Sequence, residues 1–205
     1  MENISLNEAK KHLSKDKIFK PLVKTLDPLY IPGSGDVFNE LVKNIVYQQI
    51  SYKAADAIYK RFIDLTLNDK FSPEEVLRLH HDELRSAGLS NQKAKYIINI
   101  ADFFQDNNLH KHNWDELGAD EILALLTQIK GVGNWTAKMI LIFELQRSDV
   151  FPFEDLAIQY VIKELYQLNE EKTALVKKII EIAEVWRPYR TFASLYLWSY
   201  RRAQS

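Results

Sequence analysis

Residues 125–141, LLTQIKGVGNWTAKMIL, decide the fold, because two closely spaced glycines interrupt apolar runs that have helical spacing. Apolar side chains recur every three or four positions on both sides of Gly131 and Gly133, as they do along one face of a helix. The whole chain has only six glycines, so two within three positions indicate a sharp connection. The stretch predicts a helix, a tight hairpin and a second helix over about residues 123–143.

The two glycines allow two interpretations of this hairpin. Glycine tolerates positive φ and leaves its amide uncovered, so Gly131 and Gly133 can turn their N–H groups toward an anion such as phosphate. The positive end of the following helix favours the same anion. The alternative is an ordinary connection in which a glycine caps the first helix. The spacing alone leaves both interpretations open.

Composition sets limits on the class of protein. The chain has 205 residues and 46% hydrophobic composition, which is enough for a sizeable core in one domain or two small lobes. No apolar run approaches the roughly 20 residues of a membrane span, and the N-terminus is too polar for a secretory signal, so we expect a cytoplasmic protein that does not contact a membrane. The chain has no cysteine, which excludes disulfides, thiolate zinc sites and cysteine-ligated iron–sulfur clusters. The net charge of −1 gives no information about a local basic face.

The helical period continues along most of the chain and predicts an all-α fold. The segment GDVFNELVKNIVYQQI predicts a helix that breaks near Ser51. Ser72 starts a capping-box pattern, SPEE, and the next connection turns at Gly88 before a helix restarts at Ser90. We expect residues 1–35 to form a helical appendage that packs on a core of residues 36–205.

One acidic segment stands out against an apolar background. In DVFPFEDLAIQ, residues 149–159, Asp155 precedes an apolar helical run and is therefore a candidate N-cap. Glu154 and Asp155 follow two phenylalanines and a proline, where a charge is costly unless it has a partner or a function. Asp155 is therefore also a catalytic candidate. The histidines lack the spacing of metal ligands, and we expect them to be solvated: His12, His80, His81, His110 and His112.

Five motifs, in order, resemble those of the helix-hairpin-helix DNA glycosylases of the alkylation-repair type, DNA-3-methyladenine glycosylase II. They are YQQIS, SAGLSNQKAKYI, IKGVGNWTAKMIL, FPFEDLAIQ and VWRPYRTFASLYLW. The resemblance covers most of residues 36–201 and implies a compact, two-lobed helical fold. Two departures are Lys130, where many members have proline, and the Leu-Ala that follows Asp155, where many have Leu-Gly. Neither departure removes a chemical group.

The resemblance implies a role for each candidate residue. Asp155 is the expected catalytic carboxylate, Gln49 the wedge that fills the gap left by an extruded base, and Trp135, Tyr47 and Trp198 the aromatic walls of the base pocket. The residues expected to contact a DNA phosphate are Lys130, Gly131, Val132, Gly133, Asn134 and Thr136. Hairpin carbonyls often hold a monovalent cation in this family, and here they would belong to Thr127, Ile129 and Val132. We expect no required cofactor beyond this optional structural ion.

Trp135 also implies the type of reaction. Relatives that cut the DNA backbone have at this position a lysine that forms a Schiff base, which tryptophan cannot do. We therefore expect a monofunctional, monomeric glycosylase without lyase activity, whose partner is double-stranded DNA with alkylated bases. It would be associated with the nucleoid in a prokaryote and would be nuclear in a eukaryote. The alternatives are a glycosylase for oxidised or mismatched bases and a non-catalytic DNA-binding protein.

Overall fold

The computed structural model describes residues 6–28, 33–66 and 71–204, and within them every regular element is helical. The all-α class predicted from the sequence is therefore confirmed. No helix in these residues is long and apolar enough to cross a membrane. The α-helices are α1 Leu6–Leu13, α2 Lys20–Thr25, α3 Val37–Tyr47, α4 Tyr52–Thr66, α5 Pro73–Arg78, α6 His81–Ser86, α7 Asn91–Asp106, α8 Ala119–Leu126, α9 Asn134–Met139, α10 Leu156–Leu165, α11 Lys172–Ala183 and α12 Arg190–Ala203.

The chain divides into two compact units. Residues 33–140 form the first, which we call the hairpin unit, and residues 1–32 with 141–205 form the second, the carboxylate unit. The N-terminal helices α1 and α2 thus belong to the same unit as α10, α11 and α12. The domain boundary expected at residue 35 stays a prediction.

In the hairpin unit, α7 is the central helix. Helices α3 and α5 both pack along it, and Ile97, Ile100 and Phe104 on α7 are fully buried. The ring of Phe38, on α3, lies 5.2 Å from the Phe104 ring and 5.8 Å from the Phe71 ring. This aromatic cluster lies near the C-terminal end of α7. Residues nearer the N-terminal end of α7 contact two loops that are described below.

In the carboxylate unit, the core forms around Trp186, which follows α11 and is fully buried. The Phe19 and Phe151 rings lie 5.0 and 5.9 Å from the Trp186 ring. Directly after α9, residues Ile140–Glu144 form a π-helix, which is wider than an α-helix, and this rare element is frequent at functional sites.

Local sequence signals placed most helix starts correctly. Ser72 and Glu75 form the predicted capping box, Ser90 caps α7, and Gly88 has a φ of +102° at the predicted turn. The predicted break near Ser51 is confirmed, because α4 starts at Tyr52, but α3 already ends at Tyr47: Gln48 leaves the helix and Gln49 adopts a left-handed φ of +57°. His12 and His112 are half-buried against Tyr189 and Trp114, so their full solvation was also a wrong expectation.

Asp16 ties the N-terminal helices to the core of the carboxylate unit. Its Oδ2 accepts hydrogen bonds from the Trp186 indole N–H, at 3.1 Å, and from the Tyr166 hydroxyl. Its Oδ1 accepts from the amides of Ile18 and Phe19. Because the indole and hydroxyl donors lie in a largely buried region, loss of their acceptor would leave both unsatisfied.

We predict that Asp16→Ala lowers the free energy of unfolding by about 1–3 kcal/mol, which is the usual cost of stranding buried donors. Denaturant unfolding measures the change. The matched control is Asp27→Ala, which removes a fully exposed carboxylate 4.0 Å from the Lys10 ammonium and should leave the free energy of unfolding close to that of the wild type. Equal losses in the two variants would contradict the role given to Asp16.

Candidate nucleic-acid interface and carboxylate site

The hairpin between α8 and α9 turns at Gly131, where the backbone requires glycine. Gly131 has a φ of +112°, and a Cβ there would lie 2.4 Å from Cγ of Tyr96. The turn is closed by a 3.0 Å hydrogen bond from the Val132 amide to the Ile129 carbonyl. The Lys130 carbonyl accepts a 3.0 Å hydrogen bond from the Asn99 side chain. The hairpin is therefore held against α7 as well as by its own backbone.

Gly133 differs from Gly131 in backbone conformation and in the space around it, and the phosphate contact expected of both glycines stays a prediction. Gly133 has a φ of −91°, and a Cβ there would meet no atom within 4 Å. It is the residue before α9, and it is exposed together with Asn134, the first residue of that helix. Within the described part of the chain, neither of these two amides donates a hydrogen bond. A side chain could therefore be accommodated at Gly133, whose amide is exposed, whereas the Tyr96 ring and the positive φ exclude a side chain at Gly131.

The other hairpin residues predicted to contact DNA divide by exposure. Lys130 is exposed beside Gly133 and Asn134. The side chains of Val132 and Thr136 are buried, and the Thr136 hydroxyl accepts a 3.4 Å hydrogen bond from the Gln48 amide. The hairpin thereby contacts the loop that contains the predicted wedge.

That loop, residues 48–51, connects α3 to α4, and we call it the wedge loop. Gln49 is exposed within it, and Ile50 is 38% exposed. Lys93 on α7 donates hydrogen bonds of 2.7 Å to the carbonyls of Val46 and Gln48. No role was predicted for Lys93, although the motif SAGLSNQKAKYI contains it. A lysine in the first turn of a helix does not indicate, from sequence alone, that it binds a carbonyl 45 residues away.

Asp155 caps α10, as the sequence predicted. Its Oδ1 accepts a 3.0 Å hydrogen bond from the Ile158 amide and a 3.3 Å hydrogen bond from the Trp198 indole N–H. The Trp198 ring stacks on Phe143 of the π-helix, with ring centroids 5.6 Å apart. Trp198 therefore orients the predicted catalytic carboxylate, a contact that its assignment to the base pocket did not include.

The segment before Asp155 is fixed by a separate set of contacts. The Thr191 hydroxyl donates to the Arg147 carbonyl at 2.6 Å and accepts from the Val150 amide at 3.0 Å. Arg190 donates to both oxygens of the Asp149 carboxylate, at 2.7 and 3.1 Å. These contacts join the start of α12 to residues 147–150. Because Trp198, later in α12, binds Asp155, α12 contacts the acidic segment both at its start and at Asp155.

The two other predicted pocket aromatics belong to the hairpin unit. Trp135 is 39% exposed at the start of α9. The Tyr47 hydroxyl donates a hydrogen bond to the Asp56 carboxylate, and burial together with this bond raises the pKa of Tyr47 to about 12. The Tyr47 ring also lies against Tyr52 and Tyr59. At neutral pH Tyr47 is therefore an uncharged aromatic residue, and its pocket role stays a prediction.

Lysines near Trp135 differ in access. Lys138, one turn after Trp135 on α9, is only 7% exposed, whereas Lys130 is on the surface.

Among residues 6–28, 33–66 and 71–204, no cluster of three or more His, Asp or Glu side chains could hold a metal ion. The predicted ion ligands, the carbonyls of Thr127, Ile129 and Val132, are neutral backbone oxygens, and their role stays a prediction.

One known protein family matches most of this chain, including the hairpin and the Asp155 segment. The model of the HhH-GPD superfamily of base excision DNA repair proteins matches residues 42–188. The chain belongs to this superfamily. DNA-3-methyladenine glycosylase 1 of Schizosaccharomyces pombe is 35% identical over 201 residues, which cover 95% of this chain and 87% of that protein. The family expected from the five motifs is confirmed.

Two solved structures of superfamily members match the fold. A DNA-3-methyladenine glycosidase from Bacillus halodurans gives a TM-score of 0.85 at 32% identity, covering 100% of this chain and 94% of that one. A 3-methyladenine DNA glycosylase of Schizosaccharomyces pombe in complex with abasic DNA gives 0.77 at 34% identity, covering 93% and 95%.

The contrast between the glycines gives a test of the hairpin. We predict that Gly131→Ala lowers the free energy of unfolding by at least about 1–3 kcal/mol, because its φ and the Tyr96 ring both exclude a Cβ. Gly133→Ala should leave stability within about 0.5 kcal/mol and weaken binding to damaged and undamaged duplexes equally, because a phosphate contact carries no sequence information. Fluorescence titration at several salt concentrations measures this binding, and the salt dependence should decrease. A loss confined to damaged DNA would instead place Gly133 in the base pocket.

Proposed function

We propose that this superfamily member is a monofunctional 3-methyladenine-type DNA glycosylase, which hydrolyses the N-glycosidic bond of alkylated purines in duplex DNA. The observation that carries the proposal is the Asp155 carboxylate, held at the start of α10 by the Ile158 amide and the Trp198 indole. A protein that only bound DNA would not need a negative charge at this cap, since asparagine caps a helix equally well and a carboxylate near phosphates is repelled. The names of the Schizosaccharomyces and Bacillus relatives support the same substrate class.

The chemistry follows from the charge of the substrate. A purine methylated at a ring nitrogen is cationic and is already a good leaving group, so the enzyme has little need of a general acid. The base must leave the stack, at a cost of a few kcal/mol that is smaller where damage has weakened the pair. Asp155 then stabilises the positive charge that develops on the sugar and orients the attacking water.

Recognition of the base is assigned to aromatic faces. Trp135 and Tyr47 of the hairpin unit, and Trp198 of the carboxylate unit, would each favour an electron-poor cationic ring through cation–π attraction of ~0.5–2 kcal/mol. Gln49 would occupy the gap that the extruded nucleotide leaves. Lys130 and the amides of Gly133 and Asn134 would bind a backbone phosphate, which positions the duplex without reading sequence.

The hairpin carbonyls of Thr127, Ile129 and Val132 are the proposed ligands of a monovalent cation. The donor set fits such an ion, because it consists of neutral oxygens, and the Ile129 carbonyl retains a lone pair beside its bond from the Val132 amide. The Lys130 carbonyl is directed to Asn99 and is not part of the set. When bound, the ion would support the turn and supply positive charge near a phosphate. We also propose that the protein acts as a monomer.

We predict that Asp155→Asn reduces excision by about 10²-fold or more while leaving folding and DNA binding nearly intact, because asparagine caps helices well but has no charge. The assay incubates the enzyme with duplexes that contain 3-methyladenine, hypoxanthine, 8-oxoguanine or a mismatch, and alkali then reveals abasic sites. The matched control is Glu154→Gln, which removes the neighbouring carboxylate and should retain activity. Wild-type turnover by Asp155→Asn would contradict the mechanism, and excision of 8-oxoguanine or of mismatched bases alone would contradict the substrate class.

The absence of a lysine at position 135 predicts the product. Borohydride added during turnover should trap no covalent protein–DNA adduct, and strands should break only after alkali, because Trp135 has no amine and Lys138 is buried. Trp135→Lys should lose activity on 3-methyladenine without becoming an efficient lyase, since a Schiff-base lysine also needs a lowered pKa. An adduct that maps to Lys130 or Lys138 would refute monofunctional hydrolysis, and full activity of Trp135→Lys would refute the aromatic pocket.

A further inference from the structure

The wedge loop has a conformation that its own sequence does not favour. Gln49 has a φ of +57°, a left-handed backbone that residues with a Cβ rarely adopt. Within the described residues, the Gln49 side chain makes no hydrogen bond, and it is exposed. A conformation of this kind persists only when contacts from the surrounding structure hold it.

Lys93 supplies the first of these contacts. Its ammonium group lies 2.7 Å from the carbonyl oxygen of Val46, in the last turn of α3, and 2.7 Å from that of Gln48. The last carbonyls of a helix have no partner within the helix, and a positive charge at this end also interacts favourably with the helix dipole. Lys93 is half-buried, and burial lowers its pKa, so the two carbonyl acceptors replace part of the hydration that its ammonium group loses.

Two further contacts hold the rest of the loop. The Gln48 side chain donates to the Thr136 hydroxyl at 3.4 Å, and the Ser51 carbonyl accepts the Ala55 amide at 2.9 Å in the first turn of α4. Gln49 therefore lies between anchored neighbours. Of these anchors, only Lys93 is charged and only Lys93 contacts the chain on both sides of the point where α3 ends.

We propose that Lys93 is a positioning residue for base extrusion, which fixes the wedge loop so that Gln49 can enter the stack in place of the damaged nucleotide. The inference rests on the proposed glycosylase function. It assigns to Lys93 no contact with the base, the sugar or the water. Its effect must therefore depend on how strongly the damaged base is held in the duplex, because a positioned wedge matters most where extrusion is costly.

The experiment compares two duplexes that differ only opposite the lesion. One has a single 3-methyladenine opposite thymine, and the other has it opposite a tetrahydrofuran abasic analogue, where no pair must be broken. Single-turnover excision with enzyme in excess should be about tenfold slower for Lys93→Met opposite thymine, and within about threefold of wild type opposite tetrahydrofuran. The matched control is Lys95→Met, on the same helix and exposed, which should equal wild type on both duplexes.

A double-mutant cycle with Gln49→Ala separates positioning from a general structural role. If Lys93 acts through Gln49, Lys93→Met should cause no further loss opposite thymine in the Gln49→Ala background. Lys93→Gln, which retains an uncharged NH2 donor group but not the positive charge, should give an intermediate rate and replaces Lys93→Met in the cycle if the latter fails to fold.

The outcomes are distinct. Equal loss on both duplexes, additive losses in the cycle, or wild-type activity of the Lys93 variants would each overturn the inference. Failure of the wild-type protein to excise 3-methyladenine from either duplex would overturn the proposed function instead.

Discussion

The hairpin unit depends on one steric constraint, the absence of a side chain at Gly131. The Tyr96 ring occupies the space that a Cβ would need, so the hairpin backbone lies directly against α7. This close approach brings the Lys130 carbonyl within hydrogen-bonding distance of Asn99. A larger residue at position 131 would move the turn away from α7, and the exposed amides of Gly133 and Asn134 would move with it.

Helix α7 extends the same constraint to the wedge loop. Lys93, Tyr96 and Asn99 are three residues apart, so their side chains lie on one broad side of the helix. Lys93 holds the carbonyls that precede Gln49, while Tyr96 and Asn99 hold the hairpin. The two segments expected to contact DNA in this unit are thus fixed by one rigid element. Such an arrangement reduces the ordering required when a duplex binds, because the loops have little freedom left to lose.

Signals contained within a few residues were predictable from the sequence. The capping box at Ser72, the cap at Ser90 and the cap at Asp155 each use a side chain and an amide three residues later; the caps at Ser72 and Asp155 and the helix start at Ser90 were predicted. The superfamily was predictable because five motifs occur in order. The features that escaped prediction join distant parts of the chain: Lys93 to Gln48, and Trp198 to Asp155. The end of α3 was misplaced for the same reason, since Lys93 stabilises an exit that the apolar pattern of residues 45–50 does not show. Gly131 and Gly133 look alike in sequence, and only the position of Tyr96 distinguishes them.

Asp155 has a structural role as the cap of α10 and a proposed chemical role, and the geometry explains why the two are compatible. A helix cap needs an oxygen that accepts the Ile158 amide, whereas stabilisation of a sugar cation needs a negative charge at a fixed place. The same two donors that complete the cap, the Ile158 amide and the Trp198 indole, also restrict rotation of the carboxylate. Trp198 is in turn restrained by its stacking on Phe143. The π-helix that contains Phe143, the cap of α10 and the indole of α12 therefore act on one carboxyl group. In the proposed mechanism a cationic base departs without protonation, so an oriented anion is the main chemical group that the carboxylate unit would have to supply.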